Sequence, residues 1–300
     1  MVALAGSAGD SDLRHFDPLC PAIRRSSVYL YPLLTMSTNY FITGVSFGIG
    51  RELVKKLVAN GDRVFGIART REALERLQQE VGDQQFCYAD FDVGDLMRDP
   101  KELLNQMEKK GFFPDAVILN AAINMSDLSP HFDFHAFKEV IETNVYGVVR
   151  WVDLFLPAFL QRKRGHFIAI SSFSAYYGSP KGAGYPASKA AISRAFDSFR
   201  LRYEKDNVYF TSIHFGPVDT RLWQRKKVSG VLSIDQAVEC ILKALRGKKP
   251  SYHSPVLVGS LLKFMAAASS YFVSRFTEEL GKKLMPPVAQ KKDAKNEKIS

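Results

Sequence analysis

Three hundred residues, 46% hydrophobic and 24% charged, suffice for one large core or two small domains and are ordinary for a soluble globular chain. The formal charge of +10 is weighted toward the end, where residues 282–300 hold six lysines against Asp293 and Glu297; no aromatic residues interleave with the basic ones, so this reads as a solvated tail and nucleic acid is not an expected partner. Cys20, Cys87 and Cys240 lie too far apart for a disulfide framework or a thiolate metal site, which points to a reducing, cytoplasmic setting.

Residues 1–38 mix Gly, Ser, Asp and Pro with short apolar runs and show no sustained period. They read as a disordered extension or an over-extended reading of the gene, with Met36 as the expected translation start; a secretory address is not supported. From Asn39 the pattern becomes regular. Strands are expected at Tyr40–Thr43, Arg63–Ala68, Gln85–Ala89, Ala116–Asn120, His166–Ser171 and Val208–Phe215. Helices are expected at Ile49–Ala59, Arg71–Glu80, Glu102–Lys110, as one long element at Phe134–Gln161, and at Tyr185–Lys205. Strands alternating with helices at this spacing predict an α/β domain over 39–254, a doubly wound parallel Rossmann-like sheet in a three-layer α/β/α arrangement. Cys87 falls in a strand and Cys240 in a helix, where buried structural thiols are expected.

The first strand runs into Thr43-Gly44-Val45-Ser46-Phe47-Gly48-Ile49-Gly50, and a helix follows. Gly44 allows a sharp turn, while Gly48 and Gly50 let backbone N–H groups and the helix N-terminus approach a pyrophosphate. Glycines end many strands merely to turn; the position between strand and helix is what makes this a dinucleotide loop. An acidic residue at the end of the second strand would bond a ribose 2′-hydroxyl, but position 68 is alanine and Arg69 follows. A guanidinium there suits a 2′-phosphate, so NADP(H) is expected over NAD(H).

Tyr185 and Lys189 are four apart on a predicted helix and share a face. A phenol with an ordinary pKa of about 10 is a poor acid–base group at neutral pH; the expectation is that the Lys189 ammonium lowers it. The spacing alone is common. It gains weight from Ser171 and Ser172 at the end of the fifth strand, Asn120 at the end of the fourth, and Asn144 inside the long helix three residues before Gly147, a local violation of helix preference.

Together these residues resemble the short-chain dehydrogenase/reductase family, single-domain subtype, over roughly residues 39–250. The Gly loop T-G-x-x-x-G-x-G matches at 43–50 and Y-x-A-S-K at 185–189; Leu119-Asn120-Ala121-Ala122 corresponds to N-N-A-G, and Phe215-Gly216-Pro217-Val218-Asp219-Thr220 to P-G-x-V-x-T. The resemblance implies a catalytic tetrad of Asn144, Ser172, Tyr185 and Lys189. It further implies a cofactor site from Gly44, Ser46, Phe47, Gly48, Ile49, Gly50, Arg69, Asp92, Val93, Asn120, Ala121, Ala122, Tyr185, Lys189, Val218 and Thr220. Asp92-Val93 looks like the adenine contact, and Asn144 would hold a water in a proton relay through Lys189 to Tyr185. The implied reaction is hydride transfer between NADP(H) and a carbonyl or secondary alcohol, with reduction the expected direction. Homodimers or tetramers are usual in such relatives. Leu119, Ala122 and Phe215 depart from the family pattern.

His131 and His135 are four apart around Asp133, but Pro130 and the neighbouring Phe132 and Phe134 suggest a loop, and no metal is expected. Substrate is expected between the segments 174–184 and 220–232, which hold Tyr176, Tyr177, Trp223, Arg221 and Arg225; the aromatics there suggest either a hydrophobic ligand or the packing of a lid. Ser254-Pro255 is read as a helix start, opening a C-terminal amphipathic helix over 255–284 before a disordered Lys-rich tail at 285–300. Leu257, Leu261, Phe264, Ala268, Phe272 and Phe276 form its expected apolar stripe, with Leu262 and Met265 beside it. The uncharged run 264–274 is too short to span a bilayer. The helix either covers the substrate or builds a subunit contact, or it lies in a membrane interface, which would suit a lipid or steroid-like substrate. A non-catalytic NADP-binding regulator is the rival to an enzyme; the intact tetrad argues against it.

Overall fold

The computed structural model describes residues 37–125, 131–220, 222, 230–268, 276 and 279. The expectations for 1–36 and 285–300, for the expected helix beyond 268 (Phe272 included), and for Pro130, Arg221, Trp223 and Arg225, lie outside the described residues, of which only 276 and 279 fall in that stretch of helix. Seven parallel strands form one sheet in the order β3-β2-β1-β4-β5-β6-β7. They are β1 (Asn39–Thr43), β2 (Arg63–Ala68), β3 (Phe86–Asp90), β4 (Ala116–Leu119), β5 (Gly165–Ser172), β6 (Val208–Phe215) and β7 (Ser251–Ser254). The helices are α1 (Gly48–Ala59), α2 (Arg71–Val81), α3 (Lys101–Lys109), α4 (Phe134–Ile141), α5 (Gly147–Arg162), α6 (Gly184–Tyr203), α7 (Ile234–Gly247) and α8 (Val256–Ala268). The doubly wound sheet is thus as the alternation predicts, and each expected strand and helix start falls within one residue of its observed place.

Side chains alternate across the sheet, so each strand feeds two cores. Ile42, Val64 and Ile118 pack with Leu53 and Leu57 of α1, Leu74 and Leu77 of α2, and Val238 and Ile241 of α7. Phe41, Phe65 and Val117 face the opposite layer of α3, α5 and α6, where Trp151, Phe155, Phe159 and Phe196 are fully enclosed. The chain order reverses between β1 and β4, which opens a crevice at their carboxyl ends.

Three expectations about the helices need correction. The long helix is broken: Glu142–Tyr146 winds as a π segment between α4 and α5. Its extra residue per turn turns Asn144 inward, where it is buried. At the other end, Ser254 is not a helix cap but the last residue of edge strand β7, hydrogen-bonded through its carbonyl to Gly216 N–H at 2.8 Å, and α8 starts at Val256. The face of α8 that packs is also different from the expected stripe. Leu262 and Met265 bury against Phe173 and Tyr176, while Leu257, Leu261 and Phe264 face solvent. Cys87 and Cys240 are half-buried and free.

Candidate active site

The Gly loop turns at Gly44, whose φ of +75° favours glycine; a Cβ there would also stand 2.9 Å from Ala121 Cα. A Cβ on Gly50 would stand 2.3 Å from the Gly44 carbonyl oxygen, so this position admits glycine alone without the loop moving. Asn120 stitches the end of β4 to this loop, its Nδ2 donating to the Thr43 and Gly44 carbonyls at 3.1 and 3.0 Å. Thr43 completes the join, its hydroxyl accepting from the N–H groups of Asn120 and Ala121 at 3.0 Å each. The loop motif over 43–50 includes Thr43 but assigns it no role; its hydroxyl at a strand end beside the loop is the signal for one.

A cleft of about 340 Å³ lies over this junction. Gly44, Ser46, Phe47, Gly48, Ile49, Arg69, Asp92, Val93, Asn120, Ala121, Ala122, Tyr185, Lys189 and Thr220 all line it, so most of the expected cofactor residues come together. Gly50 sits behind the loop, and Val218 lines the neighbouring cavity instead. Ile123 and Thr143 also line the cleft and were not anticipated. Arg69 has a partner within the fold, since its guanidinium lies 3.9 Å from the Asp92 carboxylate. Arg69 is largely exposed and Asp92 partly so, so this pair is worth little and leaves the guanidinium free to turn toward an anion.

A second cavity, of about 230 Å³, adjoins the first, and Ile49, Ile170, Tyr185, Thr220 and Leu222 are shared by both. Its wall mixes Ser172, Ser174, Ser179, Asn124 and Lys181 with Ile170, Phe173, Tyr177, Phe215, Val218 and Leu222. Tyr176 does not reach it. That ring stacks on His214 with centroids 4.9 Å apart, and its hydroxyl bonds His253 Nε2 at 2.8 Å. His214 and His253 stack at 5.1 Å, and His214 Nδ1–H donates to the Ser172 carbonyl at 3.4 Å. This stack under Ser172 had no sequence signal, because its three rings come from segments about forty residues apart.

The four expected catalytic side chains converge. Tyr185 and Ser172 line the same cavity, and the Lys189 Nζ lies 5.5 Å from the centre of the Tyr185 ring. The expectation that Lys189 lowers the phenol is not met: burial pushes Tyr185 up to about 12, Ser172 opposes this, and the Tyr177 phenol adds to it. The Lys189 ammonium instead donates to the Ile170 carbonyl at 2.8 Å, and burial brings its pKa down to about 8. Asn144 stands behind them. Its Oδ1 accepts from Ile123 N–H at 2.9 Å, and its Nδ2 donates to the Ile123 carbonyl at 2.9 Å and to Ser188 Oγ at 3.1 Å. The amide therefore clamps the segment after β4 to α6, with both of its N–H groups already used. His131 and His135 do not share a helix; Asp133 caps α4 by accepting from His135 N–H at 2.9 Å, and among the described residues no cluster suited to a metal ion occurs.

A family model described as short chain dehydrogenase matches residues 38–229. The chain is 33% identical over 193 residues to the dehydrogenase/reductase SDR family member 7B of Bos taurus, covering 60% of this chain and 58% of the bovine protein, less than two-thirds of its length. Among solved structures it resembles a short-chain dehydrogenase from Sphingobium yanoikuyae in complex with NADPH (TM-score 0.67, 17% identity, covering 84% of this chain and 99% of that one). It also resembles an alcohol dehydrogenase from the archaeon Thermococcus sibiricus complexed with 5-hydroxy-NADP (TM-score 0.64, 25% identity, covering 72% and 94%).

Proposed function

The chain belongs to the short-chain dehydrogenase family, and on that premise we propose that it is an NADP(H)-dependent oxidoreductase moving hydride between nicotinamide and a carbonyl or secondary alcohol. The observation that carries this reading is the place of Tyr185, in the wall shared by the two adjoining cavities, with Ser172 lining the second of them. One cavity then takes the cofactor and the other the substrate, with the acid–base group between them.

The residues present fit a dinucleotide. The glycine-tight loop leaves backbone room for a pyrophosphate, Arg69 stands on the rim for a 2′-phosphate, and Asp92 and Val93 line the side assigned to adenine. Bound there, NADPH supplies the hydride. Ser172 orients the substrate oxygen. Tyr185, held protonated at neutral pH by burial, gives its proton to that oxygen as charge develops on it. Lys189 and Asn144 hold the donor side of α6 in place. The Thermococcus structure with its NADP derivative supports the choice of cofactor.

The test is to mix the full chain with NADPH and a panel of aliphatic, aromatic, steroid and sugar carbonyls and to follow NADPH consumption. Tyr185→Phe is expected to lower kcat about 10²–10⁴-fold while NADPH still binds with unchanged affinity; turnover undiminished by this change would refute the acid–base role. Arg69→Ala is expected to weaken NADPH about tenfold or more and to leave NADH binding almost unchanged, since a charge-assisted bond to phosphate is lost. Equal weakening of both would argue against the 2′-phosphate contact.

A further inference from the structure

Helix α8 has two apolar faces. One is used: Gly259, Leu262 and Met265 lie on the Phe173–Tyr176 segment that directly follows Ser172, and a Cβ on Gly259 would stand 2.5 Å from the Phe173 ring. The other face is bare. Val256, Leu257 and Phe264 are 69%, 82% and 78% exposed, with Leu261 at 56% beside them. Large side chains gathered at this exposure on one short helix form a patch of the kind that marks an interaction surface rather than scattered surface residues.

The charges around this patch indicate what covers it. α8 holds no carboxylate, and its one charged residue is Lys263. From Val256 to Ser300 the sequence carries eight Lys or Arg residues against four Asp or Glu, and no charge interrupts 264–274. An apolar helix face followed by a cationic segment complements an anionic lipid surface, where the side chains enter the headgroup boundary and the lysines meet lipid phosphates and carboxylates. A second copy of the chain would set this net positive segment against itself. Among the described residues no helix is long and apolar enough to cross a membrane, so contact is with the surface.

We propose that the bare face of α8, assisted by the lysines that follow it, docks this protein on anionic bilayers. The docking helix is the one that braces the Ser172 segment, so a bound bilayer lies on the substrate side of the molecule. The proposal stands apart from the assigned chemistry and does not require turnover.

The experiment is co-sedimentation of the full chain with vesicles of phosphatidylcholine containing about one-third phosphatidylserine, and with phosphatidylcholine alone. Binding to the anionic vesicles only, released by added salt, is expected. The double variant Leu257→Glu/Phe264→Glu is expected to lower the bound fraction at least about tenfold, and Lys→Gln at 282, 283, 291, 292, 295 and 298 to do the same. Because the two apolar side chains are exposed, both variants should still bind NADPH, which checks their fold. As an independent reading, Phe264→Trp should shift its emission to the blue on anionic vesicles. Unchanged emission, or vesicle binding untouched by both variants, overturns the proposal. So does a wild-type chain that ignores vesicles but sediments as a dimer that Leu257→Glu/Phe264→Glu splits; the patch is then a subunit contact.

Discussion

Lys189 is buried yet hydrogen-bonded to a single backbone carbonyl, so its charge is held with less compensation than water would give. This places its pKa at about 8, within reach of ordinary assay conditions. The sign follows directly. Below that value the ammonium is charged and holds its bond to Ile170; above it the group becomes neutral, and the positive charge beside the Tyr185 ring is lost. Carbonyl reduction is therefore expected to be steady at neutral pH and to decline as pH rises through about 8. Lys189→Arg, whose charge persists throughout, should remove that decline even if it lowers the rate overall. A pH–kcat profile of both proteins checks this; an identical alkaline limb in the two would assign the titration elsewhere. The Ile170 carbonyl was invisible in the sequence, because a backbone acceptor is the same at every position. The four-residue spacing to Tyr185 could be read, and so the partner in chemistry was legible while the source of its pKa shift was not.

At the scale of elements, the π segment over Glu142–Tyr146 is where the chain departs most from its sequence pattern. Helical periodicity runs on either side of it and cannot report one inserted residue, so a single helix was the natural reading. The signal was local instead: Asn144 with Gly147 close behind is poor helix material. The structure shows why the position tolerates it, since the Asn144 amide satisfies both backbone groups of Ile123 and also reaches Ser188. Removing that amide by Asn144→Ala leaves three partners short of a bond in a buried place. The expected cost is about 2–3 kcal/mol in urea unfolding, together with weaker NADPH binding because Ile123 lines the cofactor cleft. A loss below about 0.5 kcal/mol would show that water replaces the amide without penalty. Edge strand β7 was hidden for another reason. Ser251–Ser254 is four residues long and polar at three of them, and it owes its strand form to pairing with β6. The strands with both faces buried, β2, β4, β5 and β6, announced themselves by apolar stretches.

The molecule as a whole carries two neutral imidazoles in its central strands, and these set its response to acid. His166 of β5 lies 2.9 Å from the Thr211 hydroxyl, whose own proton goes to the Lys249 carbonyl at 2.7 Å. Nε2 must therefore be the donor to Thr211. Burial, reinforced by Lys248 and Arg200, brings His166 down to about 3, and burial with His253 nearby does the same for His214. The unfolded chain returns both to an ordinary value of about 6.5. Above that pH neither state takes up protons and stability is indifferent to these groups. As pH falls from about 6.5 toward 3, only the unfolded state protonates, and folding loses about 2 kcal/mol per imidazole by pH 5. Urea midpoints measured from pH 7.5 to 4.5 should fall accordingly. Carboxylates contribute to the same fall, so the decisive comparison is with His166→Gln, which keeps a donor toward Thr211 but has no titration. Its stability should depend on pH less steeply by about one proton between pH 6 and 4. If wild type and variant run parallel across that window, His166 is not held neutral in the fold.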